Sequence, residues 1–301
     1  MSNDTAQKKT YGLLGKGISY SLSPVMHNAA FGLFRIAAEY TIFDVQENRL
    51  DAFFRDEVLT AKISGFNVTV PYKIRIKEAL EKCHERRIDI SEEADVLGAV
   101  NTVKVGAESI LAANTDARGF YESLIKDAGF NPKNRDVFIA GAGGAGRAIS
   151  WYLALLADRK PHSIHVYDID EDKVEYITSI SDSSYPRGAY SPIIYKSPLE
   201  RARECDLVIN ATPLGTKKGD PMPVPAEYLK KGAAIYDLVY ARETEFVRYG
   251  RANGLTAVNG LGMLVNQAAM SFEIWTGISW KKVRGAMGKA ALEEMEKRGK
   301  V

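Results

Sequence analysis

The stretch DVFIAGAGGAG, residues 136–146, decides the fold of this 301-residue chain, because an apolar strand pattern leads directly into a glycine-rich turn. The turn, GAGGAG at 141–146, has the GxGxxG spacing, and the helix pattern AGRAISWYLALLA overlaps its end. The next strand pattern, SIHVYD, ends at Asp168, about 20 residues beyond the last glycine. This succession predicts the dinucleotide-binding unit of a Rossmann-type domain.

Each glycine of the turn has a separate physical task in such a unit. Gly141 permits the tight turn, Gly143 lets the backbone approach a pyrophosphate, and Gly146 lets the helix pack closely against the sheet. The first helical turn offers N–H groups and a partial positive charge to the phosphates. We therefore expect cofactor contacts from the whole turn: Gly141, Ala142, Gly143, Gly144, Ala145 and Gly146.

Asp168 indicates which dinucleotide is bound. A carboxylate at this position can accept hydrogen bonds from both ribose hydroxyls of NAD, whereas it repels the 2′-phosphate of NADP. The next two residues, Ile169 and Asp170, supply no arginine to offset that repulsion. NAD is therefore the expected cofactor. Lys173 could reach a 2′-phosphate from the following helix, so NADP use stays open.

Outward from this unit, short apolar runs alternate with amphipathic stretches, a pattern typical of α/β proteins with parallel strands. A chain of 301 residues exceeds the usual size of one domain, so two domains are expected. The predicted boundaries assign residues 1–115 and 260–301 to a first α/β domain and residues 116–259 to the Rossmann domain.

Composition excludes several function classes. Lys and Arg number 40 against 38 Asp and Glu, without blocks of one sign, so no nucleic-acid or membrane surface is expected. No apolar run approaches the roughly 20 residues that span a bilayer, and the N-terminus lacks a signal-peptide core. Cys83 and Cys205 are predicted to be free thiols, and the four histidines form no metal-ligand set. We expect a cytoplasmic monomer or homodimer acting on a small molecule.

A nicotinamide-dependent dehydrogenase that acts on an alcohol requires a group that takes up the hydroxyl proton while the hydride moves to the nicotinamide. Three polar clusters outside the glycine turn could supply it: SYSLSP at 19–24, NVTVPYK at 67–73 and NTD at 114–116. Each cluster follows a predicted strand or precedes a helix, which is where α/β folds place ligand contacts.

These clusters belong to an ordered set of motifs that resembles the shikimate dehydrogenase family. The set spans nearly the whole chain and consists of SLSPVMHNAAF, GFNVTVPYK, GAVNTV, NTDARGF, GAGGAG, NATPLG, and GMLVNQ followed by FEIW. The resemblance implies a two-domain α/β fold in which both chain ends build the substrate-binding domain. It also implies that the middle of the chain binds NAD(P).

The resemblance assigns roles residue by residue. Lys73 and Asp116 match the catalytic pair, and Ser21 and Ser23 match the serines that bind the substrate carboxylate. The positions that match contacts to the ring hydroxyls or the substrate side are Thr69, Asn101, Gln267 and Tyr240. The positions that match cofactor-binding loops are Asn210, Ala211, Thr212, Leu238 and Gly260.

The chemistry of Lys73 agrees with this assignment. A lysine ammonium is protonated at neutral pH and can donate a proton to a carbonyl oxygen during reduction. The chain departs from the family pattern at Tyr20, Pro213, Ala241 and Arg242. Most of these changes lie near the nucleotide loops, so we expect them to affect cofactor affinity rather than the reaction class.

The expected activity is the reversible oxidation of shikimate to 3-dehydroshikimate. A quinate or dual quinate and shikimate dehydrogenase is the nearest alternative, because an acidic residue such as Asp168 resembles the NAD-linked members. A binding-only regulator that kept the fold is the alternative from another class. The intact Lys73 and Asp116 disfavour it, since binding alone has no chemical need for the pair.

Overall fold

The computed structural model describes residues 8–183 and 193–299. The chain forms two compact units. The first unit contains the chain up to Thr115 together with Val265–Arg298, and the second contains Asp116–Leu264. Each unit is built on its own six-stranded sheet, and strands and helices are numbered here in chain order.

The sheet of the first unit has the strand order β2-β1-β3-β5-β6-β4. Its strands are β1 Lys9–Gly15, β2 Ala38–Asp44, β3 Gly65–Val68, β4 Arg87–Ile90, β5 Thr102–Val105 and β6 Ser109–Ala113. The helices of this unit are α1 Ser23–Leu33, α2 Leu50–Phe53, α3 Lys73–Glu81, α4 Glu92–Val96 and α10 Trp280–Lys297, together with α9 Leu261–Thr276 from Val265 onward.

Strand β5 departs from the parallel direction that the sequence pattern favours. It pairs antiparallel with both β3 and β6, whereas β1 pairs parallel with β2 and β3. The short connection between Val105 and Ser109 accounts for its antiparallel pairing with β6, because a parallel crossover needs about a dozen residues or more. Gly106 closes this hairpin by donating its N–H to the Ser109 carbonyl at 2.9 Å.

The sheet of the second unit is parallel throughout and has the order β12-β11-β10-β7-β8-β9. Its strands are β7 Asp136–Ala140, β8 Ser163–Tyr167, β9 Ile193–Lys196, β10 Leu207–Asn210, β11 Ala234–Asp237 and β12 Thr256–Asn259. The helices are α5 Asp116–Lys126, α6 Gly144–Trp151, α7 Glu171–Ser183 and α8 Glu245–Ala252.

This strand order confirms the predicted Rossmann-type fold. Val137, Phe138 and Ile139 in the central strand β7 are fully buried, as expected where helices cover both faces of a parallel sheet. The strand order reverses between β7 and β10, and such a reversal opens a crevice at the carboxyl ends of the strands. Ligands of doubly wound sheets bind in that crevice.

No helix in the two described segments has the length and apolarity needed to cross a membrane.

Candidate functional site

The glycine turn of the second unit has the geometry of a phosphate-binding loop. Gly141 has a φ of 104°, and a Cβ atom there would lie 2.7 Å from the Ala211 carbonyl carbon, so only glycine fits. A Cβ atom on Gly146 would lie 1.9 Å from the Gly141 oxygen. Both contacts bring the start of α6 and the end of β10 close against the turn.

The space above the middle of the turn is open. A Cβ atom on Gly143 or Gly144 would meet no protein atom within 4 Å. Gly143 is the N-cap of α6, and no side chain caps the helix. The first N–H groups of α6 therefore suit an anionic ligand, which is the arrangement that a pyrophosphate requires.

Asp168 directly follows β8 and is half-buried beside the glycine turn. One oxygen of its carboxylate accepts the Ala142 N–H at 2.7 Å, and the other accepts the Asp170 N–H at 2.9 Å. Lys173 forms an ion pair with Asp170 at 2.8 Å. The ammonium that could receive a 2′-phosphate is therefore engaged with a neighbouring carboxylate.

The loop after β10 is organised by Asn210, which is fully buried. Its oxygen accepts the N–H and the hydroxyl of Thr212 at 3.0 and 2.6 Å. Its amino group donates to Leu214 O at 2.9 Å and to Asp237 Oδ1 at 2.8 Å. Asn210 thus fixes the conformation of the loop, and the backbone of Ala211 packs closely against Gly141.

Asp237, at the end of β11, is a site residue that the sequence reasoning did not single out. It is fully buried and accepts hydrogen bonds from Thr244 Oγ1 at 2.6 Å, Val239 N–H at 3.0 Å and Asn210. Burial raises the pKa of Asp237, and these donors oppose the rise. No spacing in the sequence joins Asp237 to Asn210, because neighbouring parallel strands bring them together.

The two remaining cofactor-loop positions also meet in the second unit. A Cβ atom on Gly260 would lie 2.2 Å from the Leu238 oxygen, so the ends of β11 and β12 approach as closely as backbones allow. Tyr240 follows β11 and is half-buried.

In the first unit, Ser21 and Ser23 lie together at the start of α1. The Ser21 hydroxyl donates to Ser23 Oγ at 3.1 Å and accepts the Ser23 N–H at 3.1 Å. Ser23 is buried and is the first residue of α1. Tyr20, one of the departures from the family pattern, is exposed, and its carbonyl accepts Arg298 Nη1 at 2.6 Å.

Lys73 is the first residue of α3 and is half-buried. Its carbonyl accepts the Val100 N–H at 3.1 Å, which joins the start of α3 to the segment before β5. Thr69 follows β3, donates its N–H to Leu14 O at 2.9 Å, and packs its methyl against Gly15. Asp116 is the first residue of α5 in the second unit and is half-buried.

Asn101 is buried directly before β5, and its amide orientation is fixed by its neighbours. Its Oδ1 accepts the Thr115 N–H at 2.9 Å and the Thr102 hydroxyl at 2.8 Å, and its Nδ2 donates to Thr115 Oγ1 at 3.0 Å. The Thr115 hydroxyl donates in turn to the carbonyl of Gln267 at 3.0 Å. The first unit thus links two of the predicted ring-hydroxyl contacts, Asn101 and Gln267.

A further buried set that sequence reasoning missed lies behind Asn101. Asn67 Nδ2 contacts Asn101 O at 3.1 Å, Thr102 Oγ1 at 3.0 Å and Ser271 Oγ at 2.8 Å, and its Oδ1 accepts the Tyr40 hydroxyl at 2.8 Å. The motif NVTVPYK placed Asn67 in a candidate polar cluster, but it did not indicate these hydrogen-bond partners.

The thiols and acidic groups of the described residues offer no metal site, since no group of three or more His, Cys, Asp or Glu could hold an ion there. Cys83 and Cys205 are free. Burial raises the pKa of the Cys205 thiol to about 12, which keeps it protonated and unreactive.

Comparison with known proteins finds two family matches. The family described as the shikimate dehydrogenase substrate binding domain matches residues 13–103, and the shikimate 5′-dehydrogenase C-terminal domain matches residues 260–279. Both matches confirm the resemblance that the motifs carry.

The similarity to known proteins extends over almost the whole chain. The shikimate dehydrogenase (NADP(+)) of Caldanaerobacter subterraneus is 35% identical over 289 residues, which cover 93% of this chain and 98% of that protein. The shikimate 5-dehydrogenase from Thermus thermophilus, solved in complex with NADP(H) and shikimate, is 31% identical with a TM-score of 0.79, covering 95% of this chain and 99% of that one. The quinate dehydrogenase from Corynebacterium glutamicum, in complex with NAD, is 28% identical with a TM-score of 0.78, covering 93% and 98%.

Proposed function

This chain belongs to the shikimate dehydrogenase family, and from that premise we propose that it catalyses the reversible oxidation of shikimate to 3-dehydroshikimate. The enzyme is an oxidoreductase that acts on a secondary alcohol with a nicotinamide dinucleotide. In the proposed arrangement the first unit binds the substrate and the second binds the cofactor.

The observation that carries this proposal is the hydrogen bond from the Val100 N–H to the Lys73 carbonyl. It holds the start of α3, where Lys73 lies, beside the segment that bears Asn101, which supports a substrate site to which both residues contribute. Ser21 and Ser23 supply hydroxyl donors for a carboxylate, as an anionic ring substrate requires. The open space over Gly143 and the uncapped N-terminus of α6 fit a dinucleotide pyrophosphate.

Shikimate loses a hydride from C3 and a proton from the C3 hydroxyl, and the C3–O single bond becomes a carbonyl. The bound dinucleotide supplies the hydride acceptor. Lys73 and Asp116 hold and move the hydroxyl proton, and in the reverse direction the Lys73 ammonium donates it to the carbonyl oxygen.

The preferred cofactor is NAD on the strength of Asp168. Its carboxylate lies at the glycine turn, and a phosphate on the neighbouring ribose would meet a negative charge. Lys173 is paired with Asp170 and offers little compensation. The Caldanaerobacter relative is named for NADP(+), so the predicted preference for NAD distinguishes this chain from that enzyme. The Corynebacterium structure, in contrast, contains NAD.

Shikimate is favoured over quinate as the substrate, because the similar curated proteins are named shikimate dehydrogenases. A cytoplasmic location is consistent with this activity and with two free thiols. The test is a matrix of initial rates with shikimate or quinate and NAD or NADP. We expect shikimate with NAD to give the highest kcat/KM, and a complete lack of shikimate oxidation would contradict the proposal.

A further inference from the structure

Two hydroxyl groups, those of Thr102 and Thr115, contact the amide of Asn101, and each has only one proton to donate. The amide itself is oriented by the Thr115 N–H, which donates to Oδ1 at 2.9 Å. Asn101 Nδ2 donates to Thr115 Oγ1 at 3.0 Å, and the Thr115 hydroxyl lies 3.0 Å from the Gln267 carbonyl and 3.3 Å from Asn101 Oδ1. A shorter hydroxyl contact to Asn101 Oδ1, at 2.8 Å, comes from another residue.

Thr102 supplies that donor. Its hydroxyl lies 2.8 Å from Asn101 Oδ1 and 2.7 Å from Ser271 Oγ, and it accepts from Asn67 Nδ2 at 3.0 Å. The Ser271 hydroxyl can donate either to Thr102 or to the Gln267 carbonyl at 2.9 Å, whereas Asn101 Oδ1 can only accept, so the Thr102 hydroxyl is the donor to Asn101. Hydrogen bonds then run in one direction from Tyr40 through Asn67 and Thr102 to Asn101, and such chains are cooperative.

We propose that Thr102 is a positioning residue, which commits the oxygen of Asn101 to internal donors so that Asn101 offers the substrate only its amino group. Thr102 is fully buried, so it acts through Asn101 and does not touch a ligand. An amide presented in this way donates to a hydroxyl oxygen and leaves the hydroxyl proton available to another acceptor. The inference rests on the proposed function, because it concerns the ring-hydroxyl contact of shikimate.

The test uses Thr102→Val, which keeps the shape of the side chain and removes the hydroxyl. We expect the KM for shikimate to rise about two- to tenfold, the loss that one neutral hydrogen bond causes. The kcat and the KM for the cofactor should change less than twofold, because the lost hydrogen bond orients a substrate contact only. Thr102→Ser keeps the hydroxyl and should restore the KM for shikimate.

Thr276→Val is the matched control in the same unit. Thr276 lies in α9 and donates to Phe272 O at 2.7 Å, so its replacement removes an equivalent hydroxyl away from Asn101. This variant should leave the KM for shikimate unchanged. An equal rise in KM for Thr276→Val would overturn the proposal, because the effect would then reflect general loosening of the unit.

A double-mutant cycle with Asn101→Ala separates positioning from an independent structural role. If Thr102 acts through Asn101, Thr102→Val should have no further effect on KM in the Asn101→Ala background. The same fold-change in both backgrounds would refute the inference. Absence of shikimate oxidation by the unaltered protein contradicts the proposed function instead, and the side-chain amide NMR signals of Asn101 then decide the inference. They should shift in Thr102→Val and not in Thr276→Val, and unshifted signals would overturn it.

Discussion

The carboxylate of Asp168 accepts a hydrogen bond of 2.7 Å from the backbone N–H of Ala142. Asp168, which directly follows β8, is thereby joined to the glycine turn that follows β7. In a doubly wound sheet the ribose next to the pyrophosphate lies at this junction. In the proposed arrangement, this hydrogen bond holds a negative charge where NAD would carry two hydroxyls and NADP a phosphate.

Replacing Asp168 with Asn and Ile169 with Arg should narrow or reverse the preference for NAD. The unaltered enzyme should favour NAD by about tenfold to a thousandfold in kcat/KM, since two charges at short range interact strongly even when partly solvated. Ile169 is 91% exposed, so an arginine there has room to meet a phosphate. Asp172→Asn removes an equal charge from the first turn of α7 and should leave the preference unchanged. Efficient use of NADP by the unaltered protein would show that Asp168 does not face the ribose.

Lys73→Ala should lower kcat by roughly 10²- to 10⁴-fold while cofactor affinity persists, because it removes the proposed proton donor and acceptor. Lys77→Ala is the matched control one helical turn later. Lys77 is paired with Glu81 and Asp95, so its loss affects stability rather than turnover. Steady-state rates and cofactor titration measure both variants, and near-normal turnover of Lys73→Ala would remove Lys73 from the chemistry.

Ser21→Ala and Ser23→Ala should each raise the KM for shikimate about ten- to a hundredfold, since each loses a hydrogen bond to a charged carboxylate. Ser91→Ala is a control in the same unit, because Ser91 caps α4 by accepting the Ala94 N–H at 3.2 Å. That change should cost about 1 kcal/mol of stability without altering KM. An unchanged KM for either serine variant would exclude that serine from the substrate site.

The second unit could be predicted from the sequence better than the first, because its main signals come from residues close together in the sequence. The buried run Val137 to Ile139 and the glycine spacing are local signals, so the central strand and its turn could be placed directly. The polar strand β4, Arg87–Ile90, was missed because RIDI lacks the apolar run on which the strand predictions relied. The antiparallel hairpin of β5 and β6 was missed because the predicted alternation implied parallel crossovers.

The candidate site shows the same limit. Lys73, Asn101 and Asp168 could be proposed as site residues because each belongs to a short sequence pattern. Asn67 and Ser271 are 204 positions apart and meet only in the folded unit, so no spacing could predict their hydrogen bond. The same holds for Thr102, whose hydroxyl is surrounded by groups from β3 and α9.

His27 should make the protein less stable in mild acid. It is fully buried and stacks on Tyr40 with ring centres 4.3 Å apart. Among the residues that the structure describes, neither ring nitrogen makes a well-formed hydrogen bond, and the nearby Asn67 side chain only partly opposes the effect of burial. Burial lowers the pKa of His27 to about 3, below the ordinary value of 6.5. The unfolded chain therefore binds a proton more readily between these values, and this contribution to stability is lost as the pH falls below 6.5.

The measurement is the free energy of unfolding of the unaltered protein and of His27→Phe as a function of pH. The unaltered protein should lose up to about 1.4 kcal/mol per pH unit relative to the variant as the pH falls. Parallel pH dependences of the two proteins would show that His27 is not held neutral by burial.

The most direct test of the account is the fate of the hydrogen at C3 of shikimate. Shikimate labelled with deuterium at C3 is incubated with the enzyme and NAD, and the reduced cofactor and the oxidised product are analysed by mass spectrometry. We predict that the deuterium appears on the nicotinamide ring and that the product is 3-dehydroshikimate, with both forming about 10²- to 10⁴-fold more slowly in Lys73→Ala. Reduced cofactor without deuterium, or no shikimate-dependent reduction with either NAD or NADP, would contradict it.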